Sequence, residues 1–374
     1  MKPENTEYWL ALSHAPGVGP VNFMRLIKHF GSLLDIFTAG RAEWQAIKMK
    51  ANLMKYLENI NWQIIENDML WLEQPNNHIL TLEHPDYPPM LSSIDDAPPL
   101  LFVHGDYKLL STQQIAIVGT RKSSREGEQV AKEFAANLSY QGFTITSGMA
   151  YGIDGASHIG ALNAHGKTIA VAGTGLDRVY PPKHRELAHN IAENGGALIS
   201  EFPIGTTVKR YNFPIRSRIV SGLSQGVLVV EAPNRSGALY TVQHALKQGR
   251  EVFVTPSSIY NPLTKGSHRL IKEGAKLVEN IADILEELHT YQPPATVPTI
   301  NQPAPTKPKP EVKNLDSEHQ LILNHLVTGP NSIDGLVELS GLDVSKISSI
   351  LLMLELQGLI ATQSGGLYGL KTEF

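Results

Sequence analysis

The run Ile115-Ala-Ile-Val-Gly-Thr-Arg121 constrains the fold more than any other stretch of this chain. Four apolar residues, rich in β-branched types, lead straight into a glycine, a threonine and an arginine. A helical pattern follows over residues 126–140. A short apolar run without alternation fits a strand covered on both faces. Strand, glycine turn and helix together open an α/β unit. The pattern then recurs, with candidate strands at 115–118, 144–147, 168–172, 197–200, 227–231, 251–254 and 276–278 and helical segments between them. Strands alternating with helices need crossover connections and therefore a parallel sheet. The expected fold class is α/β, an extended Rossmann-like parallel sheet occupying residues 76–291. Two short strands, at 79–82 and 100–104, lead into it.

The flanks read differently. Residues 1–75 are expected to form a helical domain of the helix-hairpin-helix or SAM-like kind, because Pro16-Gly17-Val18-Gly19-Pro20 separates two helical runs. Glycines there allow close backbone approach. Such a hairpin either presents N–H groups to a DNA phosphate or is simply a tight interhelical turn. Residues 292–314 form a linker; the stretch 291–314 holds seven prolines, a composition that favours extended, semi-rigid chain. Residues 315–374 read as three helices and a small hairpin turning at Gly365-Gly366, the pattern of a winged helix.

Composition narrows the function classes. The chain has 374 residues and no cysteine, which excludes disulfides and thiolate metal sites. Its 14 histidines show no metal-binding spacing such as H-E-x-x-H, so neither metal nor cofactor is expected. No apolar stretch suits a signal peptide or a membrane span, and a cytoplasmic location is expected. The formal net charge of −4 does not advertise nucleic acid, but its distribution matters more. Residues 203–230 contain no acid while carrying Lys209, Arg210, Arg216 and Arg218. Residues 315–374 hold 2 basic and 7 acidic side chains, and the helix expected at Asp343 to Gln357, in the reading position, has one lysine and no arginine. Phosphate neutralisation dominates DNA affinity, so this winged helix is expected to contact protein or to regulate.

The turns after the strands carry the candidate site. Helix N–H groups converge where parallel strands end, and ligands of open sheets bind there. Gly119, Thr120 and Arg121 end the first strand, Ser147 and Gly148 the second, Gly173 and Gly175 the third. The forked guanidinium of Arg121 suits a phosphate, or else pairs with a nearby carboxylate. Small-residue turns gathered on one edge make a groove of backbone donors, which suits an anion track. None matches a Walker loop or the G-x-G-x-x-G spacing. Phe213 either stacks on a base or packs into the core. Arg216 and Arg218 share a face on an extended lead-in and diverge by roughly 200° on a helix. Asp154, Asp177, Glu201 and Glu231 stand at strand or helix ends, where capping and pairing with arginines is the expected role.

Six motifs then stand in a recognisable order: Ile117-Val-Gly-Thr-Arg121, Ser147-Gly-Met-Ala-Tyr-Gly-Ile-Asp154, Gly173-Thr-Gly-Leu-Asp177 with Tyr180-Pro181, Ile199-Ser-Glu-Phe-Pro203, Phe213-Pro-Ile-Arg-Ser-Arg218, and Lys265-Gly266 with Leu270-Ile271 and Gly274-Ala275. Together they resemble the DprA (Smf) family of DNA-processing proteins across essentially the whole chain. The resemblance implies a binder of single-stranded DNA, without catalytic residues, that protects incoming DNA in natural transformation and loads the RecA recombinase onto it. It implies a homodimer formed through the C-terminal part of the core. It carries phosphate and DNA contact onto Gly119, Thr120 and Arg121, onto Lys183 after the Tyr-Pro motif, and onto Phe213, Pro214, Arg216 and Arg218. The chain departs from the pattern at Ser217 and His268, where asparagine is common.

Two other classes compete. A nucleotide hydrolase on a similar sheet needs a general acid/base beside the sugar. The stretch Pro233-Asn-Arg-Ser-Gly-Ala-Leu-Tyr-Thr241 has no such carboxylate, and none follows before Glu251. A nucleotide-sensing scaffold would bind mononucleotides without length dependence.

Overall fold

The computed structural model describes residues 5–288, 317–327, 331–357, 359–363 and 367–370. The linker at 292–314 and the turn at Gly365-Gly366 lie outside the described residues. The chain divides into two compact units, residues 1–299 and 300–374.

The first unit opens with six helices, α1 (Asn5–His14), α2 (Pro20–Phe30), α3 (Leu33–Thr38), α4 (Arg41–Ala46), α5 (Ala51–Glu58) and α6 (Trp62–Leu72). Proline at the first position of α2 needs no N–H partner, and Gly31 closes the helix with its N–H on Ile27 O. Ser32 caps α3, accepting from Asp35 N. Trp9, Leu10, Phe23, Ile36 and Ile65 form their shared core. That core continues into the sheet through Leu100 and Phe102. Burying each large side chain contributes about 1.5–3 kcal/mol.

The sheet follows: β1 (Asn77–Thr81), a short α7 (Pro89–Ser92), β2 (Leu100–Gly105), β3 (Gln114–Gly119), α8 (Arg125–Tyr140), β4 (Thr144–Ser147), α9 (Ile153–Asn163), β5 (Thr168–Val171), α10 (Arg185–Glu193), β6 (Ala197–Ser200), α11 (Asn212–Gly222), β7 (Gly226–Val230), α12 (Ala238–Lys247), β8 (Glu251–Val254), α13 (Lys265–Lys272), β9 (Lys276–Leu277) and α14 (Ile281–Glu287). The seven strands from β3 to β9 are parallel and lie within about a residue of the positions read from the sequence. β2 runs antiparallel to both β1 and β6. The connection from β1 to β2 carries only the four-residue α7, and the two strands pair directly, Asn77 opposite His104. The order is β1-β2-β6-β5-β4-β3-β7-β8-β9. The chain therefore winds outward from β3 in one direction as far as β6. It then restarts on the other side of β3 with β7.

Side chains alternate between two layers. Ala116, Val118, Val227 and Val229 face α11 and α12 through Ile219, Val220, Leu239 and Val242. Ile115, Ile117, Leu228 and Phe253 face α8, α9 and α14 through Phe134, Leu138, Ile153 and Ile284. Ser124 caps α8, its side chain accepting from Gly127 N at 2.9 Å.

The second unit contains α15 (Ser317–Val327), α16 (Ile333–Ser340), α17 (Val344–Leu356), β10 (Ile360–Gln363) and β11 (Leu367–Leu370). The two strands pair antiparallel, Ile360 opposite Leu370. Ile322, Leu336, Ile347, Leu351 and Leu354 make a separate core. This is a winged helix. The lysine of α17, Lys346, is held by Glu318 Oε1 at 2.6 Å.

One buried carboxylate ties the six helices to the sheet. Asp68, fully buried, accepts from His14 Nε2 at 2.6 Å and from Ile204 N at 3.1 Å. Asp68→Ala leaves Ile204 N–H without its acceptor and should cost about 1–3 kcal/mol in urea denaturation. An unchanged midpoint would show that the contact contributes nothing.

Candidate nucleic-acid interface

The reversal of strand order at β3 leaves its carboxyl end uncovered, because the flanking connections depart in opposite directions. A cleft of about 830 Å³ opens there, lined by the ends of β3 (Val118 to Arg121), β4 (Gly148, Ala150) and β7 (Pro233, Arg235 to Gly237) and by the starts of α9 (Asp154) and α12 (Ala238). α11 closes its floor with Phe213, Arg216 and Ser217.

The floor is built around one guanidinium. Arg216 is only 6% exposed and donates from Nη1 to Val171 O at 2.9 Å. It lies against Gly148: a Cβ there would come within 1.8 Å of Arg216 Nη1, so a larger residue would have to displace the guanidinium. Arg216 Nε is buried without an acceptor. Burial pushes the Arg216 pKa down to about 10, Asp154 nearby opposing that shift, and the group stays charged at neutral pH. Asp154 is also buried. Desolvation raises its pKa, while Arg216 and the Ala150 N–H, bonded to Oδ2 at 3.2 Å, pull it back.

The walls add exposed cations. Arg121, Arg210 and Arg235 line the cleft with Arg216, and Asp154 is the one carboxylate among the lining residues. Arg121 lies over the Phe213 ring, 5.4 Å from its centroid. This is cation–π geometry, and it leaves the guanidinium edge accessible. No carboxylate pairs with Arg121 among the described residues. Phe213 is half-buried. On its other side Gly173 leaves the space that a Cβ, 3.0 Å from the ring, would take. Tyr180 stands next to it, ring centroids 5.7 Å apart. Thr120 is fixed through its N–H to Glu231 O at 2.8 Å.

The structure thus gathers Gly119, Thr120, Arg121, Gly148, Phe213 and Arg216 on one cleft. Other candidates fall elsewhere. Because Asn212 begins a helix, Arg216 and Arg218 diverge. Arg218 is 2% exposed and makes a forked pair with Glu201, at 2.9 and 2.6 Å, and a third contact with Asp96. Its donors face carboxylates, which corrects its placement in the anion track. Ser147 Oγ is fully buried and donates to Ile117 O at 2.6 Å, a link between β4 and β3. Gly175 abuts Pro203 O and Asp177, outside the cleft lining. Lys209 is exposed beside Tyr211, its Nζ 6.0 Å from the ring, while its neighbour Arg210 lines the cleft. Lys183 lines a second, adjoining cavity. Arg210 was singled out only as part of the acid-free basic segment, and Arg235 not at all. Arg235 follows β7, so the strand-end rule could have found it. Glu231 accepts from Ser124 N at 2.9 Å and Asn261 Nδ2 at 3.2 Å, and so anchors the start of α8.

The sheet and its switch-point cleft define a Rossmann-type fold with a cationic crevice, joined in sequence to a winged helix. Comparison with known proteins makes this specific. A family model for DNA recombination-mediator protein A matches residues 78–289, and one for the DprA winged helix domain matches residues 303–366. Protein Smf of Escherichia coli (strain K12) is 43% identical over 310 residues, 82% of this chain and 81% of that protein. DNA processing protein DprA of Bacillus subtilis (strain 168) is 44% identical over 203 residues, 54% and 68% respectively. The X-ray structure of DprA from Streptococcus pneumoniae matches with a TM-score of 0.66 at 33% identity, covering 78% of this chain and all of that one. A structure of the Helicobacter pylori protein, described for its unique single-stranded DNA binding mode, matches at 0.51 and 30% identity over 57% of this chain and 98% of that one. The chain belongs to the DNA recombination-mediator protein A (DprA) family.

Arg121 and Arg218 should separate on melting. Arg218→Ala strands Glu201, whose side chain is 9% exposed, and should cost about 3–5 kcal/mol. Arg121→Ala, at an exposed position, should stay within about 0.5 kcal/mol of wild type. Equal losses would contradict the division between a structural and a ligand-facing arginine.

Proposed function

We propose that this protein binds single-stranded DNA along the cleft, protects it during natural transformation, and delivers it to the RecA recombinase. One observation carries the reading: three exposed arginines and the buried Arg216 converge with the half-exposed Phe213 where β3, β4 and β7 end. Phosphates suit the arginines, and an unstacked base suits the aromatic ring. The charge of Arg216 under the floor adds to that of Arg121, Arg210 and Arg235 on the walls, which favours an anionic ligand. A single strand exposes base faces that a duplex hides, which favours it over double-stranded DNA. Delivery to RecA is supported by membership of a recombination-mediator family. The role is binding rather than catalysis, with the strand-end carboxylates Glu201 and Glu231 engaged in structural contacts.

We further propose that two copies associate through the C-terminal part of the core. Ile259 and Tyr260 there are 65% and 88% exposed. The acidic winged helix, with Lys346 paired, is proposed to contact protein.

Fluorescence anisotropy with labelled oligodeoxythymidine and a duplex of equal length tests the main reading. Single strand should be preferred. Arg121→Ala should weaken binding tenfold or more, about 1.4 kcal/mol. Removing one cation–phosphate pair should flatten the slope of log K against log salt by about 0.7. No single-strand binding at low salt would sink the reading. For the dimer, light scattering of Tyr260→Ser with Ile259→Glu should show a monomer where wild type shows a dimer; a wild-type monomer at tens of micromolar would refute it.

A further inference from the structure

Beside the cleft, across Tyr180, lies a second cavity of about 630 Å³. Tyr180 lines both. We infer that this cavity takes a nucleobase of the bound strand, turned out of the phosphate track, while Lys183 and Arg185 at its mouth hold the adjoining phosphate. The inference rests on the single-strand reading above and names a separate subsite for it.

The walls have the chemistry of a base slot. Met149, Ala170 and Leu198 rise from the strand ends and the sheet face, and Ala188 faces them from α10. Alanine at 170 and 188 leaves a gap against the sheet that larger residues would fill. Pockets of this size commonly take flat, mostly apolar ligands fixed by a few polar groups. The polar groups are distributed accordingly. Arg178 is held by Asp177 through Nε at 3.0 Å. Lys183 and Arg185 are exposed, and no ion pair engages them among the described residues.

His104, on the cavity wall, argues against a phosphate inside. Asn77 Nδ2 donates to Trp71 O at 2.7 Å, so Asn77 Oδ1 is an acceptor. His104 Nδ1 lies 2.6 Å from that oxygen and must carry the proton. Burial lowers the His104 pKa, which favours the neutral ring. Its Nε2 is then an acceptor, which suits a base N–H and repels phosphate oxygen. The second cavity therefore adds apolar walls and an acceptor for a further base beside the cleft that offers arginines and Phe213.

Filling the slot without touching a cation tests this. Ala192, half-buried on α10, lines the cavity, so Ala192→Phe should occupy it. Leu198→Trp fills it from the sheet side should the first variant not fold. Binding is read by anisotropy with oligodeoxythymidine and with an oligonucleotide of equal length in which every second base is missing, so the phosphate count is unchanged. Wild type should bind the abasic strand roughly tenfold or more weakly, the range expected when base stacking is removed. In Ala192→Phe that penalty should shrink at least threefold, with the salt slope unaltered. An undiminished penalty in both filling variants overturns the subsite while leaving the cleft reading intact. Failure of wild type to bind any single strand fails the cleft reading instead. Displacement of the intact oligonucleotide by thymidine monophosphate in wild type but not in Ala192→Phe would assign the cavity to a free nucleotide and overturn its filling by the strand.

Discussion

Arg216 brings a positive charge into the floor of the cleft and holds four elements to it. It reaches from α11 to the end of β5 through Val171 O and rests on Gly148 at the end of β4. Asp154, at the start of α9, balances its charge. Burying a guanidinium is costly unless its donors and charge are answered. Here one donor is answered by a carbonyl, the charge by a nearby carboxylate, and Nε by nothing within the fold. The glycine at 148 and the carbonyl at 171 follow from that side chain, and so does the placement of Phe213 three residues before it.

The cleft exists because of strand order. In a sheet wound in one direction every connection would leave towards the same face, with no crevice between neighbouring turns. With β4 and β7 on either side of β3, the chain leaves in opposite directions and uncovers the turn from Gly119 to Arg121. The second cavity belongs to the same arrangement. It lies farther along the same edge, where β5 and β6 end beneath α10. An anionic strand following the edge would meet Arg121, Phe213, Tyr180 and Lys183 in turn.

Much of this was legible in the sequence. Buried parallel strands announce themselves as unbroken apolar runs between glycine turns, and all seven appear where those runs lie. Gly119 to Arg121 could be placed on the binding edge because a strand end fixes position without knowledge of tertiary contacts. Arg218 could not be separated from Arg216 in this way. Their separation depends on where the helix begins, and Tyr211-Asn212-Phe213-Pro214 looks like an extended lead-in. Asn212 stands at the first position of the helix, its Nδ2 donating to Gly173 O at 3.0 Å, a contact 39 residues away in sequence. Ser147 likewise looks like a donor in a glycine turn, yet its hydroxyl turns inward to Ile117 O, a partner 30 residues distant. The antiparallel course of β2 was equally hidden, since an isolated apolar strand carries no sign of its direction.

The central claim is that a single strand lies along the carboxyl ends of β3, β4 and β7. Photocrosslinking with an oligonucleotide carrying 5-bromodeoxyuridine, followed by peptide mapping, tests it most directly. The account predicts adducts on the peptides bearing Phe213 and Tyr180, abolished when an unlabelled single strand competes. Adducts confined to the winged helix, or to the six N-terminal helices, would contradict it.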